Sequence, residues 1–144
     1  MAGLKDAAMI SFGHALKNAR SIQDDVLRAQ ISGDIARAQA GIGLASDASK
    51  TLSDAVAASK PFQFPQQATP TLLLINAEAD IGNFTEAVGL ARSMGQGPLR
   101  PTMLYVIAKA EAKSGKIAEA IELAQSIDVP QGRALALAEI AGAM

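Results

Sequence analysis

The chain has 144 residues, which is typical of one domain with a continuous core, and 49% of them are hydrophobic. Its net charge of −1 disfavours a nucleic-acid binder, because such proteins normally carry a basic face. Cysteine is absent, which excludes disulfides, thiol catalysis and cysteine metal sites.

The composition favours an all-α fold that is not inserted in a membrane. Aromatic residues make up only 3% of the chain and tryptophan is absent, so alanine supplies much of the apolar surface. Good helix formers dominate, and long β-branched runs are missing. No apolar run of about 18 residues is present, and the N-terminus lacks a signal-peptide pattern. We expect a cytoplasmic protein, or a periplasmic or secreted one if a signal has been removed.

Apolar residues at helical spacing predict eight helices. The first three are expected near residues 4–22, 26–40 and 45–59. Asp24 and Asp25 precede the second of these helices, where acidic side chains cap a helix N-terminus.

A proline-rich stretch separates these three helices from the rest of the chain. Three prolines occur within ten residues, and prolines are not tolerated inside helices, so an irregular connector is expected at residues 60–68. Thr69 and Pro70 are expected to be the N-cap and first-turn proline of a helix that ends near Ile81, unless Pro65 starts it earlier. The remaining helices are expected near residues 84–94, 99–113, 117–127 and 131–143.

The predicted helices repeat with a period of 33 residues. Residues 77–94 and 110–127 are identical at nine of eighteen positions. Residues 15–38 match residues 120–143 at nine positions with an offset of 105, which is one step of 39 residues and two of 33. The six extra residues fall in the proline-rich connector. Such periods are typical of stacked helical hairpins, so we expect three hairpins flanked by a half-hairpin at each end.

The turns of this repeat share a run of residues. Gly82-Asn-Phe-Thr-Glu-Ala-Val88 and Gly115-Lys-Ile-Ala-Glu-Ala-Ile121 are the clearest copies, and Gly43-Leu-Ala-Ser-Asp-Ala-Ser49 is a weaker one. The run resembles the tetratricopeptide repeat family, although Glu78 and Glu111 replace that family's later tyrosine. The resemblance implies a right-handed α-solenoid that forms a single domain over residues 1–144.

The resemblance also implies where a partner binds. In this family the first helix of each hairpin lines a concave groove that takes a peptide or a partner helix, so we expect a protein–protein interaction scaffold. In register, the groove residues are Gln30, Arg37, Leu72, Asn76, Asp80, Tyr105, Lys109 and Lys113. Lys109 and Lys113 repel one another on a bare helix, and a partner carboxylate or Asp80 is expected to relieve this repulsion. The alternative for each residue is a merely solvated helical face.

Two further sets of residues recur in register and are expected to be structural. One set should end helices in the left-handed conformation, and its members are Gly43, Gly82 and Gly115. The other set comprises Arg28, Arg100 and Arg133. These arginines lie near the N-termini of first helices, where a cation opposes the helix dipole. We therefore expect them to pair with acidic groups or carbonyls of a neighbouring hairpin, and the alternative is a ladder that binds anions.

No group of residues in the sequence supports catalysis, a metal site or a cofactor. His14 is the only histidine and has no carboxylate at ligand spacing, so a surface or packing role is expected. Gly41-Ile-Gly43 and Gly95-Gln-Gly97 lack the rest of a phosphate-binding fingerprint and are expected to be turns. The last helix is apolar nearly all round, which predicts either further repeats or a homo-oligomer formed through this helix. The alternative function is therefore a self-associating structural segment with no groove ligand.

Overall fold

A computed structural model describes residues 2–59 and 63–144 of the chain. These described residues form eight α-helices and no strand, which confirms the all-α class. In chain order the helices are α1 Ala2–Arg20, α2 Asp25–Gly41, α3 Ala45–Ala58, α4 Ala68–Asp80, α5 Phe84–Ser93, α6 Arg100–Lys113, α7 Ile117–Gln125 and α8 Pro130–Ala143. Their bounds lie within about two residues of the predicted ones. None of the helices in the described ranges is both long and apolar enough to cross a bilayer.

The start of α4 differs in detail from its prediction. Residues 60–62 of the predicted connector lie outside the described residues. Gln67 occupies the N-cap position of α4, so the prediction of Thr69 as the cap is wrong, and Thr69 and Pro70 both lie in the first helical turn. Proline is tolerated there because a first-turn N–H has no partner within the helix. At α2 the acidic cap is present, since Asp24 accepts a hydrogen bond from the backbone N–H three residues later at 2.8 Å.

Three helices end in the same hydrogen-bonded turn. At the end of α4, the N–H of Asn83 donates to the carbonyl of Glu78 at 2.8 Å, and the N–H of Gly82 donates to that of Ala79 at 3.1 Å. The same pair of bonds ends α2 and α6. The residues in the left-handed position of these turns are Gly43, Gly82 and Gly115, with φ values of 82°, 85° and 87°. This is the Schellman arrangement, whose left-handed position glycine occupies without a Cβ clash.

The helices contact one another in an order that follows the predicted hairpins. Helix α2 contacts α4, α4 contacts α6, and α6 contacts α8. Each of α3, α5 and α7 contacts the helix before it and the helix after it, and α1 packs against α2. We call α2, α4, α6 and α8 the first-helix layer, and α3, α5 and α7 the second helices.

Alanine occupies many of the contacts between these helices. The alanines with no exposed surface are Ala36, Ala48, Ala77, Ala87, Ala91, Ala108, Ala120 and Ala124. Their small side chains allow neighbouring helices to approach closely. Larger aliphatic side chains with at most 2% exposure fill the remaining space, and these are Leu52, Leu74, Ile75, Ile107, Ile127 and Ile140. The interior is therefore built from closely spaced helices rather than from aromatic side chains.

Candidate functional site

The residues predicted to line the groove all lie on the first-helix layer. None of them is buried. Gln30, Asp80 and Lys113 are exposed. The partly exposed members are Arg37, Leu72, Asn76, Tyr105 and Lys109. They come from α2, α4 and α6, so the register places them on three neighbouring helices of one layer.

Arg37 of α2 and Asp80 of α4 form an ion pair between neighbouring first helices. Nε of Arg37 lies 2.7 Å from Oδ2 of Asp80, and Nη1 of Arg37 lies 3.2 Å from Oδ1 of Asp34. Asp80 is one of the two expected sources of a carboxylate for Lys109 and Lys113, beside a partner protein, and its carboxylate instead pairs with Arg37. Exposed ion pairs contribute at most about 1 kcal/mol to stability, so the main effect of this pair is to orient its side chains.

Glu139 of α8 supplies a carboxylate for Lys109 instead. Nζ of Lys109 lies 3.0 Å from Oε2 of Glu139 and 5.9 Å from the centre of the Tyr105 ring. The hydrogen bond and charge of Lys109 lower the pKa of the Glu139 carboxyl, with smaller contributions from Tyr105 and Lys113. The same bond to Glu139 is the main cause that raises the pKa of Lys109. Periodicity does not assign Glu139 to this surface, because the sequence of α8 predicts only an apolar helix. The one signal for this position in the sequence is that Glu139 is the single carboxylate of α8.

The recurring arginines differ in their partners. Arg100 reaches the connection before α8, where Nη2 lies 2.5 Å from Oδ2 of Asp128, and it also donates to a carbonyl of the turn before α6 at 3.3 Å. Arg28 pairs with Asp25 in its own helix and donates to a carbonyl of the preceding turn at 2.8 Å. The described residues supply no hydrogen bond or ion pair to the guanidinium of Arg133. Arg100 thus pairs with a carboxylate in the connection between its own hairpin and α8, whereas Arg28 pairs with a carboxylate of its own helix.

Comparison of the chain with protein-family models, curated proteins and solved structures found no match. The three hairpins of the chain can instead be compared with one another, position by position. One position, in the last turn of each first helix, holds a buried polar residue in all three hairpins. These residues are Gln39, Glu78 and Glu111, which are 3%, 2% and 6% exposed.

The three buried polar side chains are satisfied to different degrees. Oε1 of Gln39 accepts a hydrogen bond from the Thr51 hydroxyl at 2.8 Å. Oε2 of Glu78 accepts one from Nδ2 of Asn83, also at 2.8 Å. Oε2 of Glu111 has no hydrogen-bond partner. A buried polar atom without a partner destabilises the folded state, because it loses its bonds to water and gains none.

Burial raises the pKa of both carboxyl groups at this position. For Glu78 burial is the largest cause. The hydrogen bond from Asn83 lowers the pKa, and the charge of Glu86 raises it. For Glu111 burial is again the largest cause, followed by the charge of Glu119, while Lys116 lowers the pKa. Both carboxyl groups therefore favour their protonated forms more strongly in the folded than in the unfolded chain.

We expect the substitution Glu111→Met to stabilise the protein by about 1–2 kcal/mol near pH 7, since it removes an unpartnered buried carboxylate and keeps an unbranched side chain. A raised folded-state pKa means that the wild type loses stability as pH rises from the unfolded-state pKa of about 4.3 through the folded-state pKa. The gain should therefore be smaller at acidic pH, where the carboxyl is protonated in both states. Urea unfolding at several pH values measures this difference.

The matched control is Glu122→Met, because Glu122 is exposed on α7. We expect this control to change the free energy of unfolding little at any pH, as surface substitutions usually do. A gain for Glu111→Met that does not depend on pH would contradict the assignment of the effect to the buried carboxylate.

Proposed function

We propose that the chain is a non-catalytic protein–protein interaction module, a right-handed α-solenoid of the tetratricopeptide-like class. Its first-helix layer binds a peptide or a partner protein. The observation that carries this proposal is the unbroken succession of contacts from α2 through α4 and α6 to α8. Such a succession supports an extended surface, to which each hairpin contributes residues at equivalent positions.

The side chains on this surface support a role in recognition. The ion pairs Arg37–Asp80 and Lys109–Glu139 join α2 to α4 and α6 to α8, with separations of 2.7 and 3.0 Å. The central helices α4 and α6 carry partly exposed groups of mixed character, which are Leu72, Asn76 and Tyr105. Aromatic and apolar anchors next to oriented charges are typical of protein interfaces, in which the charges contribute to specificity.

Photo-crosslinking in the native cell tests this proposal. We expect p-benzoylphenylalanine in place of Tyr105 to form covalent adducts with a partner on irradiation, since position 105 is partly exposed on α6 and the replacement keeps an aromatic side chain. The matched control places the same amino acid at Glu122, which is exposed on the second helix α7. Adducts from position 105 and none from position 122 are the expected result. Adducts from position 122 alone, or none from position 105, would show that the first-helix layer is not the partner surface.

Exposed apolar side chains on the end helices favour an alternative function, which is self-association of a structural repeat segment. Leu4 and Ile10 of α1 are 74% and 64% exposed, and Leu135 of α8 is 55% exposed. Exposed apolar groups of this kind mark association surfaces when they form a patch. The alternative predicts that a crosslinker at position 135 gives adducts with the mass of two copies, whereas position 105 gives none.

A further inference from the structure

A cavity of about 580 Å³ lies between the second helices α3 and α5. Glu78 of α4 contributes to its wall, and α4 contacts both of these helices. The cavity volume lies within the range of about 300–1,000 Å³ found for small-ligand sites. The remainder of its lining combines hydroxyl, carboxylate and amide groups and the ammonium group of Lys50 with the apolar side chains of Val56 and Leu90. We call this cavity the α3–α5 cleft, and it lies among the second helices rather than on the first-helix layer.

The polar groups of the α3–α5 cleft offer more acceptors than donors. Nδ2 of Asn83 donates to Oε2 of Glu78 at 2.8 Å and to the hydroxyl oxygen of Ser49 at 2.6 Å, which uses both N–H groups of that amide. The described residues supply no hydrogen bond to Oε1 of Glu78, although this side chain is only 2% exposed. A buried carboxylate that lines a cavity with one oxygen unpartnered favours a ligand that donates hydrogen bonds.

The charges around the α3–α5 cleft are also unbalanced. Asp54 is neutralised at one edge, because Lys50 lies 3.2 Å and Arg20 lies 3.4 Å from its carboxylate. Glu78 and Glu86 form no ion pair with any described residue, and the charge of Glu86 raises the pKa of Glu78. Two carboxylates that repel one another at a cavity favour a bound cation. The described residues include no group of three or more His, Cys, Asp or Glu that could hold a metal ion, so an organic cation fits better.

A glycine inside α5 provides an independent observation. Gly89 lines the α3–α5 cleft, and a Cβ atom built there would meet no other atom within 4 Å. Packing therefore does not require glycine at this position, and the equivalent residues of α3 and α7 are Lys50 and Glu122. Glycine inside a helix costs about 0.5–1 kcal/mol relative to alanine, and one of its established uses is to let a ligand approach the backbone closely.

We propose that the α3–α5 cleft binds an organic cation, namely the alkylammonium or guanidinium end of an aliphatic stem, as on a lysine or arginine side chain. Glu78 and Glu86 accept the hydrogen bonds and charge of the cationic group, since charge-assisted hydrogen bonds to carboxylates are the strong ones. Val56 and Leu90 contact the methylene groups of the stem, which lysine and arginine commonly lay along apolar surface. Gly89 leaves the space through which the stem enters. This site does not depend on partner binding by the first-helix layer.

Nuclear magnetic resonance titration of the full chain tests the site. The probes are N-acetyl-lysine methylamide and N-acetyl-arginine methylamide, which represent peptide side chains, and 1,5-diaminopentane, which represents a free amine. N-acetyl-norleucine methylamide is the matched uncharged control. We expect saturable amide shifts around Ser49, Asn83 and Gly89 with the charged probes and none with norleucine. Tighter binding of the lysine or arginine probe would identify a peptide side chain as the source of the cation, and tighter binding of 1,5-diaminopentane would identify a free amine.

Two variants separate loss of the site from loss of the fold. Glu78→Gln removes one carboxylate and keeps an acceptor for Asn83, and glutamine already occupies the equivalent position 39. Gly89→Gln fills the α3–α5 cleft from a position with open space and raises helix propensity. Each should weaken binding of the charged probes at least about tenfold with unchanged helical circular dichroism, while Glu122→Gln on α7 should not. Unsaturable shifts, equal shifts with norleucine, or full affinity in Gly89→Gln would overturn the proposal.

Discussion

Replacing Ile107 by alanine should lower the free energy of unfolding by about 2–5 kcal/mol, the usual range for deleting a large buried side chain. Ile107 lies in α6 with no exposed surface, in the core cluster that spans α4 to α8. Fully buried alanines such as Ala87 and Ala120 belong to the same cluster, and they have no rotamers with which to refill a cavity. Because small domains have about 5–15 kcal/mol of stability in total, this one change removes a large part of it.

Chemical denaturation of the purified variant measures this loss. Leu135→Ala is the matched control, since Leu135 is 55% exposed on α8 and its truncation leaves no buried cavity. We expect the control to change stability by less than about 0.5 kcal/mol. Losses of equal size in the two variants would mean that Ile107 does not lie at the centre of a shared core.

The sequence predicts the helices and turns well, because both depend on local patterns. Apolar spacing near 3.6 residues marks each helix, and a left-handed glycine marks three helix ends at Gly43, Gly82 and Gly115. Where the local pattern is ambiguous, the prediction weakens. Before α4 the sequence favours Thr69 as the N-cap, but Gln67 occupies that position without a side-chain capping hydrogen bond.

Side-chain partners are harder to predict, because they depend on how neighbouring helices are rotated and shifted. The register places Asp80 and Lys109 on one layer, but it does not reveal that Asp80 pairs with Arg37 or that Lys109 pairs with Glu139. Shifts of a few ångströms decide such choices, and a repeat of 33 residues does not specify them. The sequence therefore indicates which helices carry these side chains but not which side chains pair.

The buried position of Glu78 and the α3–α5 cleft were not predicted from the sequence, although signals for both are present. Glu78 lies between Ala77 and Ala79, which are 0% and 5% exposed, so a charged residue interrupts a core-facing run of small residues. Gly89 lies inside α5, and the equivalent positions of α3 and α7 hold Lys50 and Glu122. Each signal becomes informative only once the hairpins are aligned and the space around each residue is known.

An engineered disulfide should join α6 to α8 and stabilise the protein by about 2–4 kcal/mol, mainly by restricting the unfolded chain. A Cβ atom built at Gly132 lies 4.0 Å from Cβ of Pro101, within the range of about 3.5–4.5 Å that disulfides require. The Cγ2 methyl of Ile127, at 3.2 Å from that Cβ, must shift by a few tenths of an ångström to make room. The natural chain has no cysteine, so only the introduced thiols of Pro101→Cys and Gly132→Cys can react.

Formation of this disulfide tests most directly whether successive first helices lie side by side, on which the first-helix layer depends. The matched control pairs Pro101→Cys with Gly142→Cys, which lies about 15 Å farther along the same helix. Under mild oxidation, we expect the 101–132 pair to give a crosslinked monomer whose midpoint of thermal unfolding falls when the bond is reduced. We expect the 101–142 pair to give none. Failure of the 101–132 pair to close within one chain, or equal closure of both pairs, would contradict the layered arrangement.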